Sequence, residues 1–227
     1  MRAVRFYPGS LMPPAGFSFF QGLEEKAEEG FHLVAFAEGA LDALKDAPRL
    51  EAKSLVLLSP LLEGSPLLWA KAEALRFALE RGGLEGFARV GRAFFFGPGT
   101  VGVASRREHR VASRREHREE ALFEAWREGL REEGVRSFLE FVLHLRDERR
   151  WLRAFEGRVL VLAGAWDAFL LPPLSARVVD FAKGEAVRLL LEGGFLAPWE
   201  VPEEASALME GFVSGEGFRP LPEGRGP

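Results

Sequence analysis

Residues 31–44 read FHLVAFAEGALDAL, and the rest of the chain is arranged around them. Leu33, Val34, Ala35 and Phe36 form a short apolar run, the pattern of a buried strand. The chain then turns at Ala37, Glu38 and Gly39 and continues into a helical pattern through Ala40, Leu41 and Leu44. Small residues at Ala35, Gly39 and Ala40 fit a turn so tight that strand and helix nearly touch.

On the N-terminal side, residues 2–7 read as a first strand, followed by a loop from Pro8-Gly9-Ser10 to Gly16. Phe20, Leu23 and Ala27 recur at helical spacing, with Glu24, Glu25, Lys26, Glu28 and Glu29 on the wet side, and Gly30 closes the segment. On the C-terminal side, Pro48 stops the helix that begins at Gly39, and 54–58, SLVLL, is a third buried strand. The pattern then changes. Residues 66–81, 84–95, 116–131 and 135–150 all read as amphipathic helices with no strand between them. Their stripes predict burial of Leu75, Phe77, Leu79, Phe123, Trp126, Phe138, Phe141 and Trp151. From 158 the alternation resumes: a strand at 159–163, a helix at 173–182, a strand at 186–191 and a helix at 202–213. The tail, 214–227, is rich in Gly and Pro and is expected to be extended.

Alternating strands and helices predict an α/β fold of about five parallel strands joined by right-handed crossovers. The expected division is a core of residues 1–60 and 156–213, an all-helical cap at 61–155, and the tail. Crossovers of one hand that advance in one direction place most helices on one face. The other face is then expected to be covered by a second subunit or by the tail, through Phe212 and Phe218.

Composition limits the chemistry. A chain of 227 residues that is 47% hydrophobic and 28% charged is long enough for a sizeable core. Its net charge of −4 gives no general attraction for nucleic acid. Cysteine is absent, which removes disulfides, thiol nucleophiles and zinc–thiolate sites. No apolar run reaches membrane-spanning length and no signal peptide is legible, so the expected location is the cytoplasm, with no membrane partner. No cofactor or metal is expected. Asn and Ile are absent and Gln21 is the only glutamine; scarce amides and many charges suit a thermophile, and a GC-rich genome gives the same bias. The octapeptide VASRREHR occurs twice, at 103–110 and 111–118. It reads either as a basic arm for an anionic partner or as a duplication in a surface segment. Successive helical copies would be rotated by about 80°, and Glu108, Glu116, Glu119 and Glu120 dilute the charge, which favours the duplication.

The turn at Ala37 resembles the nucleophile elbow of the α/β-hydrolase family, small-x-Ser-x-Gly between a strand and a helix. Ala37 stands where that family carries its serine. The family's acid follows a strand in a Gly-x-x-Asp turn, which Gly164-Ala165-Trp166-Asp167 resembles. Its histidine precedes a Pro-Glu-Glu helix start, and Gly194 occupies that position before Pro202-Glu203-Glu204. By this resemblance two of three catalytic residues are missing and Asp167 remains. The resemblance also implies an oxyanion hole from the backbone N–H groups of Ser10 and Glu38, and a pocket lined by Phe36, Trp166, Phe169, Phe195, Trp199 and the run Phe94-Phe95-Phe96. The family's sheet order is 1-2-4-3-5-6-7-8. The strands here align with the third, fifth, sixth, seventh and eighth, which would leave residues 2–7 on the edge.

Three functions are open at this point. One is a hydrolase relative without hydrolysis that binds a small acyl or carboxylate ligand or a protein. Another is an active carboxyl-ester hydrolase with a relocated site, using Ser10 or Ser59. The third is a structural or interaction protein acting through a homodimer surface.

Overall fold

The computed structural model describes residues 2–13, 16–18, 23–25, 32–97 and 109–215. Six strands form one sheet: β1 (Arg2–Tyr7), β2 (Leu23–Glu25), β3 (His32–Phe36), β4 (Ser54–Leu58), β5 (Arg158–Gly164) and β6 (Ala186–Leu191). Their spatial order is β2-β1-β3-β4-β5-β6, and every pairing is parallel. The five expected strands occur in the expected order. The sixth, β2, corrects the reading of 20–29 as a helix: Leu23–Glu25 pairs with β1. The other positions of that segment, Phe20 and Ala27 included, lie outside the described residues. β1 is therefore not the edge, and β2 stands where the family's fourth strand would be.

The helices are α1 (Gly39–Asp46), α2 (Pro66–Phe95), α3 (His109–Gly129), α4 (Glu132–His144), α5 (Pro172–Asp180), α6 (Ala197–Glu200) and α7 (Pro202–Ser214), with a 3₁₀ helix at Arg149–Ala154. Among the described residues none is long and apolar enough to cross a membrane. α2 begins where Ser65 accepts the Leu68 N–H and Pro66 presets the first turn. It breaks at Gly83, whose φ of 60° and ψ of −156° separate the two helices read at 66–81 and 84–95. Between β4 and β5 the described regular elements are all helices, with one isolated antiparallel bridge between Glu63 and Asp147. The ends of this insertion are clasped together: Gly64 N–H donates to Arg146 O, and Glu148 N–H to Leu62 O. The buried Arg149 guanidinium spans Glu63 and Asp147.

Every residue of β3 and β4 is buried, because both faces of the sheet are covered. Side chains alternate between the faces. Val34, Phe36, Val56, Leu58, Leu160 and Leu162 join the insertion helices and α7 in one cluster. Leu33, Ala35, Leu55, Leu57, Val159 and Val161 join α1, the 3₁₀ helix and α5 in the other. The expectation that one face would need a second subunit or the tail is thus corrected. The insertion folds back over the face that crossover geometry alone leaves bare. Phe212 is buried within α7, and Phe218 lies outside the described residues. Of the stripe residues, Leu75, Leu79, Phe123, Trp126 and Phe138 are buried and Phe141 is partly buried. Trp151 packs on the opposite cluster, with α1. Phe77 is a correction: it is 59% exposed. The core face of α2 runs through Leu68, Ala72, Leu75 and Leu79, and Phe77 sits about 200° around the helix from Leu75.

Packing between α1 and the end of β1 is tight at Gly39. A Cβ there would lie 2.5 Å from the Tyr7 carbonyl oxygen and 3.0 Å from that of Pro8. Gly39→Ala must therefore separate α1 from the end of β1. The expected loss is about 1–3 kcal/mol, the range for overpacking, read as a fall in Tm. An unchanged Tm would show that α1 is free to shift.

Candidate functional site

Ala37 follows β3 and opens the turn into α1 with φ of 50°, a left-handed conformation that costs a residue with a Cβ about 1–2 kcal/mol. Three backbone hydrogen bonds hold it there. Its N–H donates to Leu58 O at 3.0 Å, and its carbonyl accepts from Ala40 N–H at 3.3 Å and Leu61 N–H at 3.2 Å. The residue has no exposed surface and belongs to the apolar cluster with Phe36, Phe195 and Trp199. The backbone has the shape of an elbow. Its side chain is a methyl group, which cannot attack a carbonyl.

Glu38 precedes the first turn of α1 without capping it. Its Oε1 instead accepts the Ser10 N–H at 2.5 Å. Gly9 makes this possible, since a Cβ there would lie 2.9 Å from Glu38 Oε2. Glu38 Oε2 is buried and has no hydrogen-bond partner among the described residues. Burial raises the pKa of this carboxyl, against the pull of the Ser10 bond. One of the two N–H groups expected in an oxyanion hole is therefore held by the chain's own carboxylate.

Asp167 is 2% exposed. Its Oδ1 accepts the N–H groups of Phe169 at 2.9 Å and Leu170 at 2.8 Å, which fixes the turn after β5. Its Oδ2 is buried without a partner among the described residues. Burial pushes the carboxyl up to about 7, although the two N–H bonds and the Lys71 ammonium pull it down. Lys71 reaches over from α2 and donates to the carbonyls of Ala168 at 2.5 Å and Phe169 at 3.0 Å.

Gly194 lies between β6 and α6 with no room for a larger residue. A Cβ would meet Phe96 C at 2.5 Å, Phe95 O at 2.7 Å and Gly97 N at 2.8 Å. Its N–H donates to Glu200 Oε1 at 2.6 Å, while Glu200 Oε2 accepts the Gly97 N–H at 3.0 Å. The buried Glu200 carboxylate thus ties the loop after β6 to the end of α2. Sequence reasoning missed Glu200. The signal was a charged residue between Pro198-Trp199 and Val201-Pro202, in a segment otherwise fit for burial.

Phe36, Phe169 and Phe195 are fully buried and pack on one another and on the insertion. Phe36 and Phe195 centroids are 5.3 Å apart, Phe169 and Phe195 5.4 Å, and Phe95 lies 5.0 Å from Phe169 and 5.5 Å from Phe195. Such tilted pairs add about 0.5–1.5 kcal/mol each beyond their buried area. Trp199 stacks edge-on against Phe36 at 4.7 Å and donates its Nε1–H to Gly16 O at 2.7 Å. Phe96 is buried against Phe123 and Trp126, Phe94 is half-buried, and Trp166 points outward, 57% exposed. The buried Ser59 hydroxyl donates to Phe195 O at 2.7 Å. Ser10 is exposed. His32 bonds to Ser54 at the opposite end of the strands, and His144 lies at the end of α4 against Glu140. His109 and His117 fall in the octapeptide copies, whose side chains lie outside the described residues except Arg118, which pairs with Glu203.

A buried carboxyl at about 7 has a defined effect on stability. Unfolded, Asp167 titrates near ~3.9. Between that value and the folded one, the folded chain holds the proton and the unfolded chain does not. Stability attributable to Asp167 therefore falls as pH rises from about 4 to 7 and then levels off. Asp167→Asn keeps the Oδ1 acceptor and removes the titration. It is expected to flatten part of the fall in Tm between about pH 4 and pH 7, with Glu38 sloping the same way in both proteins. Identical pH profiles would show that Asp167 is ionised in the folded chain.

No family model matches the sequence, and no curated protein matches it. Solved structures do. An α/β-hydrolase enzyme from a Medee basin deep-sea metagenome library matches with a TM-score of 0.68 and 15% identity, over 97% of this chain and 91% of that one. A thermophilic esterase from Thermogutta terrifontis matches at 0.65 and 15% identity, over 94% and 90%. The enol-lactonase of Burkholderia xenovorans matches at 0.65 and 13%, over 94% and 91%. Likeness at this identity concerns the path of the backbone, and on that ground the chain has the α/β-hydrolase fold.

Proposed function

We propose that this chain is a hydrolase-fold protein that has lost hydrolysis and acts by binding a small carboxylate or acyl group. The observation that carries the first half is the pair of replaced positions. Ala37 has no nucleophilic atom, and Gly194 is hemmed in by Phe95, Phe96 and Gly97, so a histidine has no place beside Asp167. The second half rests on Ser10, whose N–H already holds a carboxylate oxygen, that of Glu38. A ligand carboxylate would take the same donor as Glu38 withdraws. The helical insertion serves as the cap over this end of the sheet.

Residues of a catalytic triad act as a unit. Ala37→Ser supplies a hydroxyl without a base, and Gly194→His supplies a base that the loop cannot seat. The unmodified chain, both single variants and the double variant are expected to turn over p-nitrophenyl acetate no more than ~10³-fold above water, the residue left by positioning and an oxyanion hole. The Gly194 variants are also expected to lose Tm. Robust turnover by the unmodified chain, abolished in Ser10→Ala or Ser59→Ala, would replace this reading with a relocated hydrolase site.

The binding half has its own measurement. Titration with acetate, butyrate and octanoate, followed by thermal shift, is expected to stabilise Glu38→Ala more than the unmodified chain. Absence of any shift in both proteins would remove the ligand and leave only the loss of hydrolysis.

A further inference from the structure

The loop that carries Ser10 is tethered by contacts other than Glu38. Met12 N–H donates to Gly9 O at 3.1 Å, and Trp126 of α3 donates its Nε1–H to Leu11 O at 3.0 Å. The start of α4 lies on the same loop, where a Cβ on Gly134 would stand 3.3 Å from Ser10 O. The partner of the Ser10 N–H is, by contrast, a side chain. Glu38 Oε1 accepts it at 2.5 Å, and because Ser10 is exposed the bond can be reached from solvent. The second oxygen, Oε2, is buried and has no hydrogen-bond partner among the described residues. An arriving anion therefore finds a fixed donor and a replaceable acceptor.

The charges packed around this corner do little to neutralise an anion. On α1, Asp42 opposes a charge on Glu38, and Lys45 stands seven residues, about 10 Å, along the helix. The start of α4 brings Glu132 and Glu133 with Arg131 and Arg136. Arg136 is paired with Glu132, and Arg131 turns back to the carbonyls of Glu128 and Leu130. On α3, Arg127 is engaged by Glu85 and Glu124. Beside β1, Tyr7 and Arg49 both hold Asp46, and Arg5 lies over the Tyr7 ring. Glu200 of α6 commits its two oxygens to Gly194 and Gly97. Residues 8–13 contain no ionisable side chain.

We propose that this corner takes up a monocarboxylate together with one proton, and that Glu38 is the group that receives the proton. The inference rests on the carboxylate reading of the elbow. A carboxylate bound at the Ser10 N–H leaves Glu38 beside it, deprived of its Ser10 bond. Two carboxylates in contact do not both stay ionised. The displaced Glu38 carboxyl takes a proton from solvent and donates it to a ligand oxygen, so the pair carries a single negative charge. Burial of Glu38 in the free chain acts in the same direction, since it raises the pKa. The sign of the pH dependence follows. Where Glu38 of the free chain is ionised, each ligand brings in a proton and affinity falls about tenfold per pH unit. Where it is already protonated, binding takes up none.

Calorimetric titration with octanoate at about pH 8, in phosphate and in Tris, counts the protons, because the two buffers differ in ionisation enthalpy. The unmodified chain is expected to take up close to one proton per octanoate, and its Kd to rise about tenfold over the next pH unit. Glu38→Gln keeps an oxygen for Ser10 and gains an amide donor for the ligand, but it cannot titrate. It is expected to bind with no proton uptake and an unchanged Kd; Glu38→Ala gives the same readout should the glutamine variant fail to fold. Octanoate that binds the unmodified chain without proton uptake overturns the proposal and leaves the carboxylate reading standing. Equal uptake in Glu38→Gln places the proton elsewhere and also overturns it. Binding confined to Glu38→Ala at every pH shows that Glu38 never yields Ser10, with the same consequence. Octanoate that binds neither the unmodified chain nor Glu38→Ala between about pH 5 and pH 8 removes the carboxylate reading, and this proposal with it.

Discussion

The carbonyl oxygen of Tyr7 sits so close to Gly39 that no side chain fits between them. This contact fixes where α1 begins, because β1 and β3 are neighbours in register, Tyr7 beside Ala35. With α1 pressed against the end of β1, the chain has only Ala37 and Glu38 in which to leave the strand and start the helix. The positive φ at Ala37 follows from that short path. So does the position of Glu38 beside the Gly9-Ser10 loop, where its carboxylate meets the Ser10 N–H. The sheet, the turn and the electrostatics of the site thus share one steric origin.

The fold was legible because its strands are apolar runs punctuated by small or breaking residues. Residues 186–191 and the helix after Pro202 fall where the pattern places them. The failures have physical causes. β2 is three residues long and exists through pairing with β1; three apolar residues at helical spacing report nothing about a backbone ladder. Phe77 was misjudged because size was weighed above phase: it sits opposite the stripe of Leu75 and Leu79, with the Arg81 guanidinium 5.3 Å from its ring centre. The resemblance implies a pocket position for Trp166, but the turn that buries Asp167 leaves the preceding Trp166 side chain outward. Sequence reading singled out Ala37, Asp167 and Gly194, which the structure shows as a left-handed turn, a buried carboxyl and a glycine crowded by residues 95–97. It did not see that acidic side chains hold the free N–H groups, because hydrogen bonds over 28 residues, as between Ser10 and Glu38, leave no local pattern.

Three carboxylates organise this end of the sheet. Glu38 holds Ser10, Asp167 holds Phe169 and Leu170, and Glu200 holds Gly194 and Gly97. Backbone N–H groups at loop ends need acceptors, and leaving a buried one unmet, as at Phe169, Leu170 or Gly194, costs about 1–3 kcal/mol. Each carboxylate meets that need and incurs a desolvation penalty of its own. Asp167 shows the balance most clearly: its two N–H bonds do not offset burial, and its second oxygen lacks a partner among the described residues. A cationic or donating ring beside that oxygen would resolve the imbalance. Gly194 cannot carry such a ring, because the backbone of residues 95–97 lies against it.

An elbow therefore does not by itself report catalysis. The left-handed turn at Ala37 is a strain that the fold retains with no nucleophile to present. Leu58, Leu61 and Ala40 fix the turn through backbone bonds that are indifferent to the side chain. A serine would need the same backbone and would gain its reactivity only from a base. What distinguishes a working site from a structural turn is thus the second loop, 193–197, and whether it leaves a space beside the acid. Here Gly164 and Gly194 are in such close contact that a Cβ on Gly164 would lie 1.9 Å from the Gly194 carbonyl oxygen. The loop packs directly against β5. Beside that contact the rings of Phe95, Phe169 and Phe195 pack on one another as a continuous aromatic core.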